Sequence, residues 1–244
     1  MNPSKAVARI RLVMIDSRIT RGLTAQLAQR RTRIAAGEKP LGWKVGFGAP
    51  ASMKMLGIDA PLLGYLMQSA LLPNNADVSL AGWQKPAAEA EITVHMAHDL
   101  DANADRKTIQ SAIAGIGQAI ELADVTFAPD DVEKILTGNI YQRHVILGAC
   151  DTTRAGANLD GIRARITRNH SEIANTTDPQ AATGDIIAIV GHVATTLAAH
   201  GARLRAGDII ITGSITPPLW MAPSETLRFD LEPLGSLALQ FNPG

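Results

Sequence analysis

Hydrophobic residues near the start of the chain recur three or four positions apart, which is the spacing of one face of an α-helix. They lie at Val7, Ile10, Val13 and Met14, and again after Thr20 at Leu23, Leu27 and Ile34. Gly37 and Pro40 then interrupt the pattern, as residues that end helices do. The pattern therefore predicts an N-terminal helical segment over residues 4–37.

The pattern changes at Leu41, where bulky residues alternate with glycine up to Gly48. Glycine inside such a run marks a close approach of another backbone, so we expect a strand or loop, followed by a short helix over residues 51–56. Residues 87–94 resemble a strand. Residues 104–120 are predicted to form a helix, because isoleucines repeat along one face. After Ile120 the period becomes strand-like.

The last third of the chain is predicted to be rich in strands. Residues 183–189 and 206–212 share the cluster Gly-Asp-Ile-Ile, and a Gly-Asp turn before β-branched residues is typical of a strand start. Residues 190–200 between them are predicted to be helical. Leu227, Phe229 and Leu231 lie at alternate positions, as do Leu237, Leu239 and Phe241. Since a turn separates the two runs, they predict a terminal hairpin.

Composition narrows the classes of function. The 244 residues carry 23 basic and 23 acidic side chains, so no positive field would attract nucleic acid or an anionic membrane. Cys150 is the only cysteine, which excludes an internal disulfide and a cysteine-based zinc cluster. The first residues lack the apolar core of a secretory signal. We therefore expect a cytoplasmic protein whose partner is a small ligand or another protein.

Two acids two positions apart in a strand are the first candidate for chemistry. Glu89 and Glu91 project to one face, where like charges repel unless a cation lies between them. Carboxylate oxygens suit Mg²⁺ or Mn²⁺, and Glu121 is the best third ligand. Asp124 is the alternative third ligand if the strand register differs. On spacing alone, a solvated strand face is the more common explanation.

Several segments together resemble the fumarylacetoacetate hydrolase superfamily, in its 2-keto-4-pentenoate hydratase and 4-oxalocrotonate decarboxylase branch. Pro86 to Ile92 resembles the Pro-x-x-Glu-x-Glu-Ile signature, residues 119–122 the stretch with the third acid, and residues 42–46 the lysine-bearing segment. Residues 56–64 and four later glycine-containing motifs follow in the expected order. The resemblance runs from about Leu41 to the C-terminus.

The resemblance implies an α+β fold, a mixed β-roll of the fumarylacetoacetate hydrolase type with an N-terminal helical segment. We expect residues 1–75 to form the helical segment and lysine-bearing strand, and residues 76–244 the catalytic β-roll. It also implies Mg²⁺ or Mn²⁺ held by Glu89, Glu91 and Glu121, and a homo-oligomer that can form a complex with a pathway partner enzyme. The implied substrate is a small 2-oxo or 2-hydroxy acid.

The resemblance also implies roles for other side chains. Lys44 is expected to hold the substrate carboxylate or to move a proton. By residue type and position, apart from the resemblance, Asp59 and His144 are further catalytic candidates. Further substrate-binding candidates are Asn139, Arg143, Ser214 and Thr216. A pair of solvated loop residues is an equally good explanation of Arg143 and His144.

Two departures from the family pattern bear on the reaction. Leu62 occupies the position where hydratases of the family tend to carry aspartate, and an apolar side chain cannot orient water. Residues 49–56 contain neither the histidine nor the glutamate of the superfamily hydrolases, so hydrolysis is disfavoured more strongly than hydration. We expect a metal-dependent lyase of aromatic catabolism, with hydratase ahead of decarboxylase. A non-catalytic subunit that binds a 2-oxoacid is the alternative.

Overall fold

A computed structural model describes residues 16–243, which form an α+β fold of two β-sheets and a few helices. The helices are α1 Ser17–Ala35, α2 Pro50–Leu56, α3 Arg106–Ser111, α4 Val132–Thr137 and α5 Ile186–Ala199. The strands are β1 Pro40–Gly46, β2 Leu62–Met67, β3 Leu71–Leu72, β4 Ala76–Ser79, β5 Pro86–Met96, β6 Ile113–Asp124, β7 Gln142–Leu147, β8 Arg163–Arg168, β9 Ser171–Thr176, β10 Ile209–Ser214, β11 Leu219–Trp220, β12 Thr226–Glu232 and β13 Gly235–Asn242.

The larger sheet has the strand order β2-β1-β10-β5-β6-β7-β3, and β11 pairs with one end of β5. The smaller sheet has the order β4-β13-β12-β8-β9. β1 runs parallel to β10, whereas β5 pairs antiparallel with both β10 and β6. The long strands β5 and β6 therefore lie in the middle of the larger sheet.

The main hydrophobic core lies on one face of the larger sheet. It contains alternate residues of β5 and β6, such as Ile92 and Ile120. These pack against residues on the inner face of the smaller sheet, such as Phe229, and against the buried side of α5. The opposite face carries smaller clusters that include Ala119 and Ile211. Since side chains in a strand alternate between faces, residues two positions from these belong to the same face.

The close approach predicted near Gly42 is confirmed. Gly42 has φ 157°, and a Cβ atom there would lie 1.9 Å from the carbonyl oxygen of Ile209. Only glycine fits this contact. The atoms that a Cβ would strike belong to the backbone of β10, and they cannot move aside as a flexible side chain could. The contact brings β1 against β10 and fixes the strand that carries Lys44.

Two predictions of secondary structure are wrong. The helix predicted over residues 104–120 ends at Ser111, and β6 begins at Ile113. Gly115 and Gly117 disfavour a helix and let the backbone of residues 149–151 approach the strand. The strand predicted over residues 183–189 is instead the start of α5. Asp185 caps this helix by accepting a hydrogen bond from Ile187 N at 3.3 Å.

The remaining element predictions agree with the structure to varying extents. Helix α1 covers the later part of the predicted N-terminal segment, whereas Val7, Ile10, Val13 and Met14 lie outside the described residues. The short helix α2, the helix over residues 190–200 and the hairpin of β12 and β13 are confirmed.

The division of the chain at residue 75 stays a prediction. β1 and β3, from before that point, pair with β10 and β7, from after it. Among residues 16–243 no helix combines the length and the apolar character needed to cross a membrane.

Candidate active site

Three carboxylates meet on the face of the larger sheet that is turned away from the main core. Glu89 lies directly opposite Glu121 in the β5–β6 ladder, and Glu91 lies two residues along β5 on the same face. One oxygen from each side chain lies within 4.8 Å of one from each of the others. The structure thus brings together the three residues that the sequence predicted as metal ligands.

Two of these carboxylates are fully buried, and each bonds to the protein through one oxygen. Glu91 accepts a hydrogen bond from Gly213 N at 2.7 Å, and Glu121 forms an ion pair with Lys44. The other oxygens, Glu91 Oε1 and Glu121 Oε2, are buried without a hydrogen-bond partner among the described residues. An unpartnered buried carboxylate oxygen is costly, so this arrangement calls for a cation.

The charges of the cluster lead to the same conclusion. Burial raises the pKa of Glu89 to about 7, and the charge of Glu121 adds to the effect. Burial also raises the pKa of Glu91 well above its ordinary value, with the charges of Glu121 and Glu89 adding to it. Three carboxylates and the Lys44 ammonium carry a net charge of minus two when all are ionised, which one divalent cation would neutralise. The donor set of hard oxygens fits Mg²⁺ or Mn²⁺.

Lys44 is buried beside the carboxylates, with 1 % of its surface exposed. Its ammonium donates to Glu121 Oε1 and, at 3.1 Å, to the carbonyl oxygen of Ile140. Gly64, opposite Lys44 on β2, makes room for the side chain, since a Cβ there would lie 2.7 Å from Lys44 Cγ. An ammonium has three N–H donors, so one remains for a substrate.

Ser214, the last residue of β10, and Thr216, just after the strand, each carry a hydroxyl group. Ser214 is opposite Glu91, and Ile215 N donates to the carbonyl oxygen of Ala90 at 2.9 Å, which holds this segment against β5. The hydroxyls of Ser214 and Thr216 are buried and have no hydrogen-bond partner among the described residues. The binding of a substrate by these hydroxyls stays a prediction.

Asn139 lies near Lys44, but its amide is already bonded to the protein. Its Oδ1 accepts from Tyr65 N at 2.8 Å, and its Nδ2 donates to Tyr65 O at 3.0 Å. Both bonds fasten the residue to β2. A contact of Asn139 with substrate stays a prediction; the structure shows its contact with the backbone of β2.

The structure does not bring Arg143 and His144 to the carboxylates. His144 pairs with Leu122 of β6, whereas Val145 pairs with Glu121. By strand alternation, His144 therefore points to the opposite face of the sheet from Glu121. Its ring lies 6.1 Å from that of Trp83, and the Arg143 guanidinium lies 5.1 Å from the same ring.

Asp59 does not belong to the carboxylate cluster. It is exposed in the loop before β2 and lines a cavity of about 380 Å³ between that loop and α5. His192 lines the same cavity and is held by the carbonyl oxygen of Pro61 at 2.9 Å. The predicted catalytic role of Asp59 therefore lacks support from this geometry.

Asp124 and Leu62, two residues that the sequence analysis discussed, lie on strands of the larger sheet. Asp124, the alternative ligand, accepts from Gln84 N at 3.0 Å and Lys85 N at 2.8 Å, and so holds the turn before β5. Leu62 is opposite Gly46, two positions from Lys44 along the same face. It is buried in an apolar cluster that also contains Ile140. The wall beside the carboxylates is apolar at this point.

Sequence reasoning missed the turn that supplies the Ile140 carbonyl. Asn139, Ile140 and Tyr141 all have positive φ, at 51°, 51° and 60°. The left-handed conformation costs roughly 1–2 kcal/mol for each residue other than glycine. Asn139 was the only signal, because asparagine is enriched in this conformation; nothing marked an isoleucine or a tyrosine as left-handed.

Comparisons with known proteins identify the family and the relatives of this chain. The family model described as "Fumarylacetoacetate (FAA) hydrolase C-terminal" matches residues 46–242. The chain is 26 % identical over 243 residues to a 2-keto-4-pentenoate hydratase of Paraburkholderia phymatum, covering 98 % of this chain and 92 % of that protein. It is 25 % identical over 225 residues to a 4-oxalocrotonate decarboxylase of Pseudomonas putida, covering 89 % and 83 %.

A solved structure shows the same fold. The 4-oxalocrotonate decarboxylase from Pseudomonas putida G7, complexed with magnesium and adipate, superposes with a TM-score of 0.83 at 24 % identity, covering 91 % of this chain and 86 % of that one. Since the family model spans most of the chain, this protein belongs to the fumarylacetoacetate hydrolase C-terminal domain family.

Proposed function

We propose that the protein is a divalent-metal-dependent lyase, a hydratase that acts on a small 2-hydroxy-dienoate or 2-oxo-enoate of aromatic catabolism. The observation that carries the proposal is the pair of buried, unpartnered oxygens on Glu91 and Glu121 beside Glu89 and Lys44. A structural subunit would not need this costly arrangement. The hydratase and decarboxylase relatives support the same class of reaction.

Glu89, Glu91 and Glu121 would hold the Mg²⁺ or Mn²⁺ ion. When bound, the ion supplies a Lewis acid for negative charge that develops next to a substrate carboxylate. The free N–H of Lys44 can bind that carboxylate or deliver a proton. The Ser214 and Thr216 hydroxyls can donate hydrogen bonds from the β10 side. The apolar neighbours of Leu62 exclude water from one side of the site.

A decarboxylase that acts on a 4-oxalocrotonate-type 2-oxoacid is the second candidate, and Leu62 is the observation that favours it. Addition of water needs a group that positions the water and one that supplies a proton. Loss of CO₂ needs mainly an electron sink. Leu62 is buried on the carboxylate face. An aspartate at this position would supply a polar group for water addition, and leucine supplies none.

Turnover assays test both candidates. The purified protein with Mg²⁺ or Mn²⁺ is incubated with 2-hydroxydienoates and with 4-oxalocrotonate, and water addition and CO₂ release are followed separately. Glu121→Gln should abolish turnover, whereas Glu172→Gln, at an exposed position of β9, should leave it unchanged. Absence of turnover on the whole panel with either metal would favour the non-catalytic subunit instead.

A homo-oligomer, a complex with a pathway partner enzyme and a cytoplasmic location complete the proposal. Light scattering of the purified protein measures the number of chains in the particle. Co-purification with enzymes that act on the product would test the complex.

A further inference from the structure

The left-handed turn Asn139–Tyr141 bears on the position of Lys44. Its middle residue, Ile140, turns its carbonyl oxygen towards the buried ammonium, 3.1 Å away. The only other protein acceptor of this ammonium among residues 16–243 is Glu121, a proposed metal ligand. The Ile140 carbonyl is therefore the contact that can hold Lys44 in place independently of the metal site.

The turn is fastened to β2 by Asn139. This side chain bonds both the N–H and the C=O of Tyr65, which follows Gly64, the residue opposite Lys44. The strand that makes room for the lysine side chain is therefore the strand to which the turn is tied. A shift of the turn relative to β2 would move the carbonyl away from the ammonium.

Other contacts fix the two ends of the turn. Before it, Gln26 of α1 donates to Leu63 O at 3.1 Å and to Leu136 O at 2.8 Å, which ties β2 to α4. At its last residue, the Tyr141 hydroxyl donates to Phe127 O at 3.2 Å, and the two rings lie 4.6 Å apart. Tyr141 N also donates to Gly138 O at 3.3 Å, which closes the turn on itself. The side-chain bonds of Asn139 are the ones that tie the middle of the turn to β2.

We infer that Asn139 is a positioning residue for Lys44: by clamping the left-handed turn to Tyr65, it holds the Ile140 carbonyl where it orients the Lys44 ammonium. Two N–H groups of the ammonium are then directed to Ile140 and Glu121, and the third is directed to the substrate. This inference rests on the proposed function only for the assignment of the third N–H to a substrate. The orientation of Lys44 is a property of the chain without metal or substrate.

Asn139→Gly is the informative variant. Glycine adopts positive φ without strain, so the change removes the clamp without opposing the conformation of the backbone. Asn74→Gly is the matched control. Asn74 makes the same kind of pair, accepting from Ala238 N at 2.8 Å and donating to Ser236 O at 3.2 Å, far from the carboxylates in the smaller sheet.

The decisive measurement is the ¹H–¹⁵N correlation of the Lys44 ammonium in metal-free protein, assigned by its loss in Lys44→Met. A buried, hydrogen-bonded ammonium exchanges its protons slowly and gives such a signal. We expect the signal to shift or disappear in Asn139→Gly and to persist in Asn74→Gly. A signal that is unchanged in Asn139→Gly, or that is absent from the wild type, overturns the inference. This readout is independent of whether the protein turns over any substrate.

Turnover supplies a second readout. A displaced catalytic group lowers kcat roughly 10- to 100-fold, and we expect this for Asn139→Gly, with Mg²⁺ affinity unchanged. In a Lys44→Met background the same change should have little further effect, because residues that act through one another are not additive. An equal loss in both backgrounds would show that Asn139 acts on stability rather than on Lys44, and so would also overturn the inference.

Discussion

Glu89→Gln should stabilise the metal-free protein and abolish its response to metal. In the folded chain the Glu89 carboxyl has a pKa of about 7, because it is partly buried and faces Glu121. An ordinary glutamate has 4.5, and one pKa unit corresponds to ~1.4 kcal/mol. The charge on Glu89 therefore costs the folded state up to ~3.5 kcal/mol, and about 1 kcal/mol if water screens the exposed part of the side chain.

The sign of the pH dependence follows from these two pKa values. Below about pH 4.5 the carboxyl is protonated in both the folded and the unfolded chain, so the substitution changes little. Above about pH 7 it is ionised in both, and the folded state bears the full cost. The stability that Glu89→Gln adds to metal-free protein should therefore grow as the pH rises through this range and then level off.

Thermal unfolding in the presence of a chelator measures the effect. Each kcal/mol corresponds to about 2–4 °C in Tm for a domain of this size. Metal at about 100 times its Kd should stabilise the wild type by ~2.7 kcal/mol and Glu89→Gln much less. Glu38→Gln is a control with the opposite sign, because Arg33 lowers the pKa of Glu38 to about 2. A metal-free Glu89→Gln protein that is less stable than wild type at about pH 8 would refute the reasoning.

Three further substitutions test other parts of the site. Lys44→Met should reduce turnover to a small residual rate and leave metal affinity nearly unchanged, as measured by steady-state kinetics and calorimetry; unchanged turnover would make Lys44 a bystander. Gly64→Ala should lower the free energy of unfolding by about 1–3 kcal/mol and reduce turnover, because its Cβ would lie 2.7 Å from Lys44 Cγ; chemical denaturation and kinetics would show both. Leu62→Asp should raise water addition more than CO₂ release in parallel assays, although a buried carboxylate lowers stability; a variant that only slows hydration would exclude this role for position 62.

The metal cluster was predictable because its signal is local. Glu89 and Glu91 share a face in any strand, whatever its partners. Glu121 was chosen because it lies where the predicted helix gives way to a strand, and the family resemblance supported the choice. That helix was wrong because isoleucines three and four positions apart also occur in a buried strand, where both faces are apolar. In β6 both faces are covered, so hydrophobic periodicity could not separate the two structures.

The sequence could not predict on which face of the sheet a side chain lies when the strand pairing is irregular nearby. The β6–β7 register shifts between Leu122 and Ala123, which decides that Val145, and not His144, lies beside Glu121. A shift of one residue exchanges the two faces. Arg143 and His144 were reasonable candidates by residue type, but residue type does not determine on which face of a sheet a side chain lies.

The second acceptor for Lys44, beside Glu121, could not be found from residue types, because it is the backbone carbonyl of Ile140. Its position depends on three consecutive left-handed residues, and Ile140 strongly disfavours that conformation. Contacts from Tyr65 and Phe127, distant in sequence, offset the cost. A strained backbone persists where the surrounding structure holds it in place, and such places cluster at functional sites. Sequence analysis could not predict this turn, because its residues do not favour the left-handed conformation. That strained conformation, seen in the structure, is a reason to regard the turn as part of the site.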